Sequence, residues 1–127
     1  MQMDEKMKTI IKWLENEVND KNWDEYLKSY GYKKIAIYGA GDLGKYLIWA
    51  LNRSNLEISC VIDRRASEIE VFEHHEVYTL ESFLEKNIET DAIVVTAINA
   101  YEEVLEHVAR IRPELPVLFL RDMVYEF

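Results

Sequence analysis

One stretch constrains the fold of this chain more than any other: a short apolar strand pattern that ends in a glycine-rich turn. Residues 35–38 form an apolar run, which is typical of a strand buried on both faces of a parallel sheet. The turn Gly39-x-Gly41-x-x-Gly44 follows directly, and a helical pattern of apolar residues follows the turn. This order of strand, turn and helix is the context in which such a glycine triad holds the phosphates of a dinucleotide.

Each glycine of the triad has a separate expected role. Gly39 permits a tight turn, Gly41 lets a phosphate approach bare backbone, and Gly44 lets the helix pack closely on the strand. The N-terminus of the helix offers N–H groups and about half a positive charge to an anion. A tight turn without a ligand would give the same pattern. Asp42 leaves both interpretations open, because an acid suits the helix dipole but competes with a bound phosphate.

An acidic residue stands at the distance that nucleotide binding requires. The second apolar run, residues 58–62, ends at Asp63, which lies nineteen residues beyond Gly44. An acid at this position accepts hydrogen bonds from ribose hydroxyls, although a loop acid without this role remains an alternative. Arg64 and Arg65 follow. They could pair with a 2′-phosphate and favour NADP, whereas Asp63 favours NAD, and a solvated loop face is the third possibility.

The rest of the chain continues the alternation of strands and helices. Strands are predicted near 57–62, 75–79, 91–97 and 116–120, with helices after the first, third and fourth strands of the chain. We therefore predict an α/β fold with about five parallel strands in the order 3-2-1-4-5. The switch point then lies between strands one and four, so residues 96–99 should face the glycine turn.

Several local expectations complete this description. Residues 64–67 are expected to form a loop, and residues 121–127 a tail. Asn99 and Glu102 have the spacing of a capping box and should begin a helix that buries Val104, Leu105, Val108 and Ile111.

Two predicted helices precede the first strand and define an N-terminal extension, residues 1–32, ahead of a domain at 33–127. The first helix, near 4–18, has an apolar stripe formed by Met7, Ile10, Ile11, Leu14 and Val18. Asn22 should cap the second helix and Gly31 should end it. The aromatic residues of the extension must be covered, by the sheet or by a second copy. We expect cover from the sheet, and a homodimer remains an expectation.

Composition narrows the class of protein. A chain of 127 residues is long enough for one domain with a sizeable core. The formal net charge of −9 argues against nucleic-acid binding, and no apolar run reaches membrane-spanning length. The first residues lack the pattern of a signal peptide, and the lone Cys60 cannot form an internal disulfide. A cytoplasmic location is expected.

No pattern in the sequence indicates metal binding or a complete active site. His74 and His75 lie between two glutamates, but neighbouring residues of a strand point to opposite faces, so we predict no metal site. The Tyr-x-x-x-Lys pair of short-chain dehydrogenases is missing, as are the residue orders of a serine or cysteine nucleophile. No catalytic residue is therefore predicted, and whether the chain is an enzyme stays open.

The residues 34–44, 60–63 and 91–97 carry a resemblance to a known group. They resemble the small Rossmann-like domains of bacterial polysaccharide and nucleotide-sugar metabolism, over about residues 33–121. Such domains are similar to the N-terminal parts of nucleotide-sugar dehydratases and sugar O-acetyltransferases. The dehydratase resemblance implies NAD(P) held by the three glycines of the turn and Asp63. The acetyltransferase resemblance implies a nucleotide-sugar, but this turn departs from that pattern at Asp42 and Leu43.

The sequence therefore predicts a Rossmann-like domain that binds NAD, NADP or a related nucleotide and lacks a complete active site of its own. The alternatives are a ligand-free structural or oligomerisation module, and a UDP-sugar-binding domain. An oxidoreductase completed by a partner enzyme is a further hypothesis. The predicted ligand-binding residues are Gly39, Ala40, Gly41, Asp42, Leu43, Gly44, Asp63, Arg64, Thr96, Ala97 and Asn99.

Overall fold

Residues 4–127, which are the residues that the computed structural model describes, form six strands and seven helices. The strands are β1 (Lys34–Tyr38), β2 (Glu57–Ile62), β3 (Val71–Phe72), β4 (His75–Tyr78), β5 (Ala92–Val95) and β6 (Val117–Phe119). The helices are α1 (Glu5–Val18), α2 (Trp23–Ser29), α3 (Asp42–Leu51), α4 (Ala66–Ile69), α5 (Leu80–Glu85), α6 (Tyr101–Ile111) and α7 (Leu120–Glu126). Within this described part of the chain, no helix is long and apolar enough to cross a lipid bilayer.

The sheet has the order β3-β4-β2-β1-β5-β6. Strands β4, β2, β1, β5 and β6 pair in parallel, which confirms the predicted order 3-2-1-4-5 for these five. The edge strand β3 was not predicted and pairs antiparallel with β4. The turn between them places Glu73 and His74 at positive φ, where hairpins usually carry Asn or Gly. The usual turn signal is therefore missing from the sequence.

Helices cover both faces of the sheet, so the α/β fold class is confirmed. Alternate residues of a strand point to opposite faces. Ile35 and Ile37 of β1 pack in one cluster with buried residues of α1, α2, α3 and α7. Ala36 and Tyr38 pack in a second cluster with buried residues of α5 and α6. The central strand β1 is buried on both sides, as its continuous apolar run predicts.

Three local expectations are wrong. Residues 64–67 do not form a simple loop, because α4 begins at Ala66. Residues 121–127 are not a tail, because α7 follows β6 directly and buries Leu120, Met123 and Val124. The N-cap of α6 is Ala100, without a side-chain hydrogen bond, so Asn99 does not open a capping box. Helices α4 and α7 contain too few turns to show a helical period in the sequence.

The predicted boundaries of α2 agree with the structure. The Asn22 side chain accepts the N–H of Glu25 at 2.8 Å and caps the helix, as predicted. Gly31 follows the C-terminus with φ +82°, and the N–H groups of Gly31 and Tyr32 donate to the last turn. These two hydrogen bonds form a Schellman motif, which needs a residue in the left-handed conformation and therefore favours glycine.

The predicted apolar stripe of α1 faces away from the core, except at Ile10, which is partly buried against it. Met7, Leu14 and Val18 are 48%, 59% and 81% exposed, and Ile11 is also exposed. The buried residues of α1 are Thr9, Trp13 and Asn16. The Asn16 side chain donates to the carbonyl of Val124 at 2.8 Å, which links α1 to α7. Leu105 and Ile111 of α6 are exposed too, while Val104 and Val108 are buried.

The tryptophans of the extension are covered by the chain itself, whereas Tyr30 is 51% exposed. Trp23 is 3% exposed, and its ring meets those of Trp13 and Phe127 at centroid distances of 5.3 and 4.7 Å. Such edge-on aromatic pairs add to the energy of burial. Helices α1 and α2 therefore pack with α7 and α3 over one face of the sheet and extend its core.

We predict that two leucines of the extension differ sharply in their contribution to stability. Leu27 in α2 is fully buried, so Leu27→Ala should lower the free energy of unfolding by about 2–5 kcal/mol. Leu14 in α1 is 59% exposed, so Leu14→Ala should change it by about 0.5 kcal/mol or less. Urea unfolding at low protein concentration measures both. Equal losses in the two variants would contradict the burial described here.

Candidate functional site

The carboxyl ends of β1, β2 and β5 meet the glycine turn at one edge of the sheet and enclose a cavity of about 610 Å³. In a doubly wound sheet, ligands bind at this edge, where the order of strands reverses. Every predicted ligand-binding residue except Arg64 lines the cavity: Gly39, Ala40, Gly41, Asp42, Leu43, Gly44, Asp63, Thr96, Ala97 and Asn99. Ile98 and Arg65 line it as well, together with residues 4–6 of the N-terminal extension.

Two of the three glycines are required by the fold. Gly39 has φ +120°, and a Cβ there would overlap the Thr96 hydroxyl. A Cβ on Gly44 would overlap the carbonyl oxygen of Gly39. The close contact between residues 39 and 44 lets α3 start directly above the end of β1. Thr96, which is buried, donates its hydroxyl to the carbonyl of Tyr38 at 2.9 Å and holds the same turn from β5.

Gly41 differs from the other two glycines. Its φ of −117° is open to any residue, and a Cβ there would have no neighbour within 4 Å. Neither backbone conformation nor packing against the described chain therefore requires glycine at this position. Gly41 is one of the residues that line the cavity. The bare backbone leaves room at this point for a group from outside the chain.

The N-terminus of α3 lies beside the cavity. Gly41 is the N-cap of this ten-residue helix and makes no side-chain cap hydrogen bond. The first N–H groups of a helix have no partner within the helix. Together with the helix dipole, they form a site that favours an anion at the floor of the cavity.

Asp63 connects the end of β2 to the glycine turn. One carboxylate oxygen accepts the N–H of Ala40 at 2.8 Å, and the other accepts the backbone N–H of Arg65 at 2.9 Å. The Arg65 Nε also donates to Asp63 at 3.2 Å. Burial alone would raise the pKa of Asp63, but these three donors outweigh it and hold the pKa below its ordinary value. Asp63 is therefore a carboxylate that fixes the turn.

The structure places Arg65, rather than Arg64, beside the cavity. Arg65 reaches across the turn, and its guanidinium donates to the carbonyl of Ala40 at 3.3 Å. The Arg64 side chain is 75% exposed and lies 3.8 Å from Glu103. The sequence could not distinguish the two arginines, because the backbone turn after β2 determines which of them faces the cavity.

The N-terminal extension forms a wall of the cavity that the sequence analysis did not predict. Lys6 Nζ lies 2.7 Å from a carboxylate oxygen of Asp42, and this bond is the main cause of a lowered pKa of Asp42. Asp4 caps α1 by accepting the N–H of Met7. Glu5 lies 3.9 Å from Arg121. No local sequence signal could find these residues, since Lys6 and Asp42 are 36 positions apart.

A second cavity of about 440 Å³ continues the cleft on the other side of the switch point. Ile98 and Asn99 line both cavities. The second is completed by α6 and α7, where the rings of Tyr101 and Phe119 stack at 4.8 Å. The guanidinium of Arg121 lies 4.7 Å from the Phe119 ring. The cleft therefore extends from Asp63 to the far side of β5.

Other candidate chemistries have less support. Burial raises the pKa of Cys60 to about 12, so its thiol stays protonated at neutral pH. Within residues 4–127, no three His, Cys, Asp or Glu side chains come together as a metal site.

Comparison with known proteins gives the family. Residues 31–114 match the family described as C2185-like, N-terminal, and the chain belongs to it. The matched region begins just before β1 and excludes α1 and α2. Comparison with curated proteins gave no match.

Several solved structures resemble the chain, among them the following two. RSP, a Rex-family repressor, aligns with a TM-score of 0.53 and 14% identity over 82% of this chain, which supports the Rossmann-like fold. A candidate epimerase from Bacteroides thetaiotaomicron aligns with a TM-score of 0.43 and 26% identity over 68% of this chain. The aligned part spans 62% of the repressor chain and 44% of the epimerase chain.

The lowered pKa of Asp63 predicts a defined pH dependence of stability. A carboxylate with a depressed folded-state pKa stabilises the fold above its unfolded pKa, near 4, and the contribution is lost as pH falls through the folded pKa. Asp63→Asn should therefore be less stable than the wild type at pH 7, by about 1–3 kcal/mol. The difference should shrink as pH falls below about 4.

Urea unfolding of the wild type and Asp63→Asn between neutral and acidic pH measures this difference. Glu106→Gln, at an exposed position of α6, is the control and should follow the wild type at every pH. A stability gap that stays constant across the range would be inconsistent with an ionised Asp63 in the fold.

Proposed function

We propose that this member of the C2185-like N-terminal family binds a nucleotide of the NAD(P) class across the carboxyl edge of its sheet. One observation carries the proposal: the unexplained glycine at position 41. Its backbone has an ordinary φ and open space where a Cβ would lie, and it borders the cavity at the N-terminus of α3. A phosphate seated there would use the space and the first N–H groups of α3.

Asp63 supports the ribose end of this proposal. Its Oδ2 atom accepts one described hydrogen bond, from Ala40, and a carboxylate oxygen has room for about two. A ribose hydroxyl that reaches this oxygen would complete its hydrogen bonding. The carboxylate is already oriented by the turn, so a ligand would not have to order it.

The two acids at the glycine turn have basic partners, which lowers their repulsion of a diphosphate, while Asp4 and Glu5 add negative charge at the wall formed by the N-terminal extension. Asp42 is paired with Lys6, and Asp63 is paired with Arg65. Lys6 has three N–H donors, so it can keep its bond to Asp42 and donate to a phosphate oxygen as well. The N-terminal extension would thus supply the cation that offsets the acid in the glycine turn.

We propose that the domain binds a nucleotide but does not form a complete active site by itself. Cleft residues that could touch a second half of the ligand include Asn99, Tyr101 and Arg121. A reaction would need further groups from another domain or a partner enzyme. A setting in polysaccharide or nucleotide-sugar metabolism is the hypothesis that follows from the sequence resemblance, and it makes UDP-sugars the second ligand class.

A thermal-shift panel of NAD, NADP, UDP-glucose and coenzyme A tests the proposal. A ligand that binds the folded state at a hundred times its dissociation constant should add about 2.7 kcal/mol of stability. Stabilisation by NAD or NADP supports the proposal. Stabilisation by UDP-glucose alone would show that the ligand is a nucleotide-sugar and not NAD or NADP. No stabilisation by any of the four would favour a ligand-free module.

We predict that Gly41→Val abolishes nucleotide binding and leaves the fold intact. The valine side chain would fill the space proposed for the phosphate, while the described chain has no atom within 4 Å to oppose its Cβ. Titration calorimetry with the nucleotide found in the panel measures affinity, and thermal melting measures stability.

Gly44→Ala is the matched control for this variant. Its Cβ would overlap the Gly39 carbonyl, so this variant should lose stability, in contrast to Gly41→Val. Wild-type affinity in Gly41→Val would refute the proposed position of the phosphate.

The two arginines after β2 should differ in cofactor selectivity. Because Arg65 borders the cavity, Arg65→Gln should weaken NADP binding about tenfold or more, and NAD binding less, since a hydrogen bond to a charged group is lost. Arg64→Gln is the control and should leave both affinities unchanged, because Arg64 lies beside Glu103 outside the lining. Titration of both nucleotides into both variants decides the point. An effect of Arg64→Gln equal to that of Arg65→Gln would contradict the assignment.

A further inference from the structure

Helix α1 has an exposed apolar stripe with a coiled-coil repeat. Met7, Ile11, Leu14 and Val18 are exposed by 48%, 39%, 59% and 81%. Their spacing of four, three and four residues is that of the core positions a and d in a heptad repeat. The stripe lies opposite the side of α1 that is buried through Thr9 and Asn16.

The apolar surface continues beyond α1 onto α3. A groove of about 440 Å³ lies between the two helices, and its lining is mostly apolar, with Ile10, Leu14, Tyr46 and Trp49 beside the charged Glu17 and Arg53. The Trp49 side chain is 51% exposed. A large apolar patch on a soluble domain typically marks an interaction surface. This groove and the stripe share Leu14, so they form one surface, which we call the α1 face.

We propose that the α1 face binds the α1 face of a second copy of this chain, with the two α1 helices antiparallel around a two-fold axis. In the heptad frame, Met7 and Leu14 are d positions, and Ile11 and Val18 are a positions. A two-fold contact uses the same patch on both copies, and the stripe at the centre of this patch is apolar on both. In the antiparallel register centred between Ile11 and Leu14, Met7 faces Val18 of the second copy.

Charge on the flank of the stripe identifies both the occupant and its direction. Lys8 and Glu15 follow the two d positions and therefore lie on one side of the stripe, at e positions. In an antiparallel pair, Lys8 of each copy faces Glu15 of the other, which gives two attractive contacts. Ile10 and Glu17 lie at g positions on the other side and face each other in this arrangement. In a parallel pair, Glu15 would face Ile10 and both Lys8–Glu15 contacts would be lost. Flanking charges of this kind set the orientation of paired helices.

The surface lies apart from the candidate binding cavity. Residues 4–6 at the start of α1 border the cavity, whereas the stripe and Trp49 do not. Dimer formation can therefore be tested independently of the proposed nucleotide binding.

Sedimentation velocity of the full chain over a range of concentrations tests the proposal. The wild type should show a monomer–dimer equilibrium. Leu14→Glu should raise the dissociation constant about tenfold or more, because it buries an unpaired charge in the interface. Ile111→Glu places the same charge at a comparably exposed site on α6 and should leave the equilibrium unchanged. Circular dichroism confirms that each variant is folded.

Charge exchange tests the direction of the helices. Lys8→Glu alone and Glu15→Lys alone should each weaken self-association, because like charges then face one another. An equimolar mixture of the two variants should form heterodimers at least as strong as the wild-type dimer, since every flanking contact is again attractive. A wild-type chain that stays monomeric, a dimer unaffected by Leu14→Glu, or a mixture without recovery would each overturn the proposal.

Discussion

The arrangement of this domain depends on a close contact between two glycines. The carbonyl of Gly39 lies where a Cβ of residue 44 would be, so α3 can begin directly over the end of β1 only with glycine at both positions. This contact fixes the angle at which α3 leaves the sheet. Helix α3 in turn contributes Leu47 and Ile48 to the core that covers one face. The N-terminus of α3 is thereby brought to the edge of the sheet where the cavity lies.

The acids at the glycine turn are paired with basic residues, one of which comes from a segment that is distant in the sequence. The turn carries an acid at Asp42, which alone would oppose a bound phosphate. Lys6 reaches it from α1 and forms an ion pair at 2.7 Å. Asp63 is balanced by Arg65 and by two backbone N–H groups. The acids at the turn are therefore matched by specific partners, even though the whole chain has a net charge of −9.

Helix α1 shows how a polar buried side can coexist with an apolar exposed side. Its inner side buries Asn16, whose amide donates to the carbonyl of Val124, so the cost of burying the amide is offset by a hydrogen bond. Trp13 on the same side packs edge-on against Trp23. The outer side retains the heptad stripe. The same helix can thus hold the domain together on one side and present a contact surface on the other.

The sequence by itself determined the features that depend on local spacing. The run at 35–38 and the glycine triad specify a strand, a turn and a helix, and the alternation of patterns specifies the order of the five parallel strands. Because parallel strands end at the same edge of a sheet, the residues that follow β1, β2 and β5 were predicted to lie together. These predictions succeeded because backbone conformation and the handedness of the crossovers are local or nearly local constraints.

Only the tertiary structure decided which side of α1 is buried and which groups complete the cavity. The helical period identifies an apolar stripe but does not say what covers it, and here the carbonyl of Val124 and the ring of Trp23 selected the opposite side. The helix α7, which provides that carbonyl, is too short to show a period. Lys6 and Arg65 reach the cavity through packing across the sheet edge. Contacts between residues distant in sequence leave no local pattern, because their spacing is set by the fold itself.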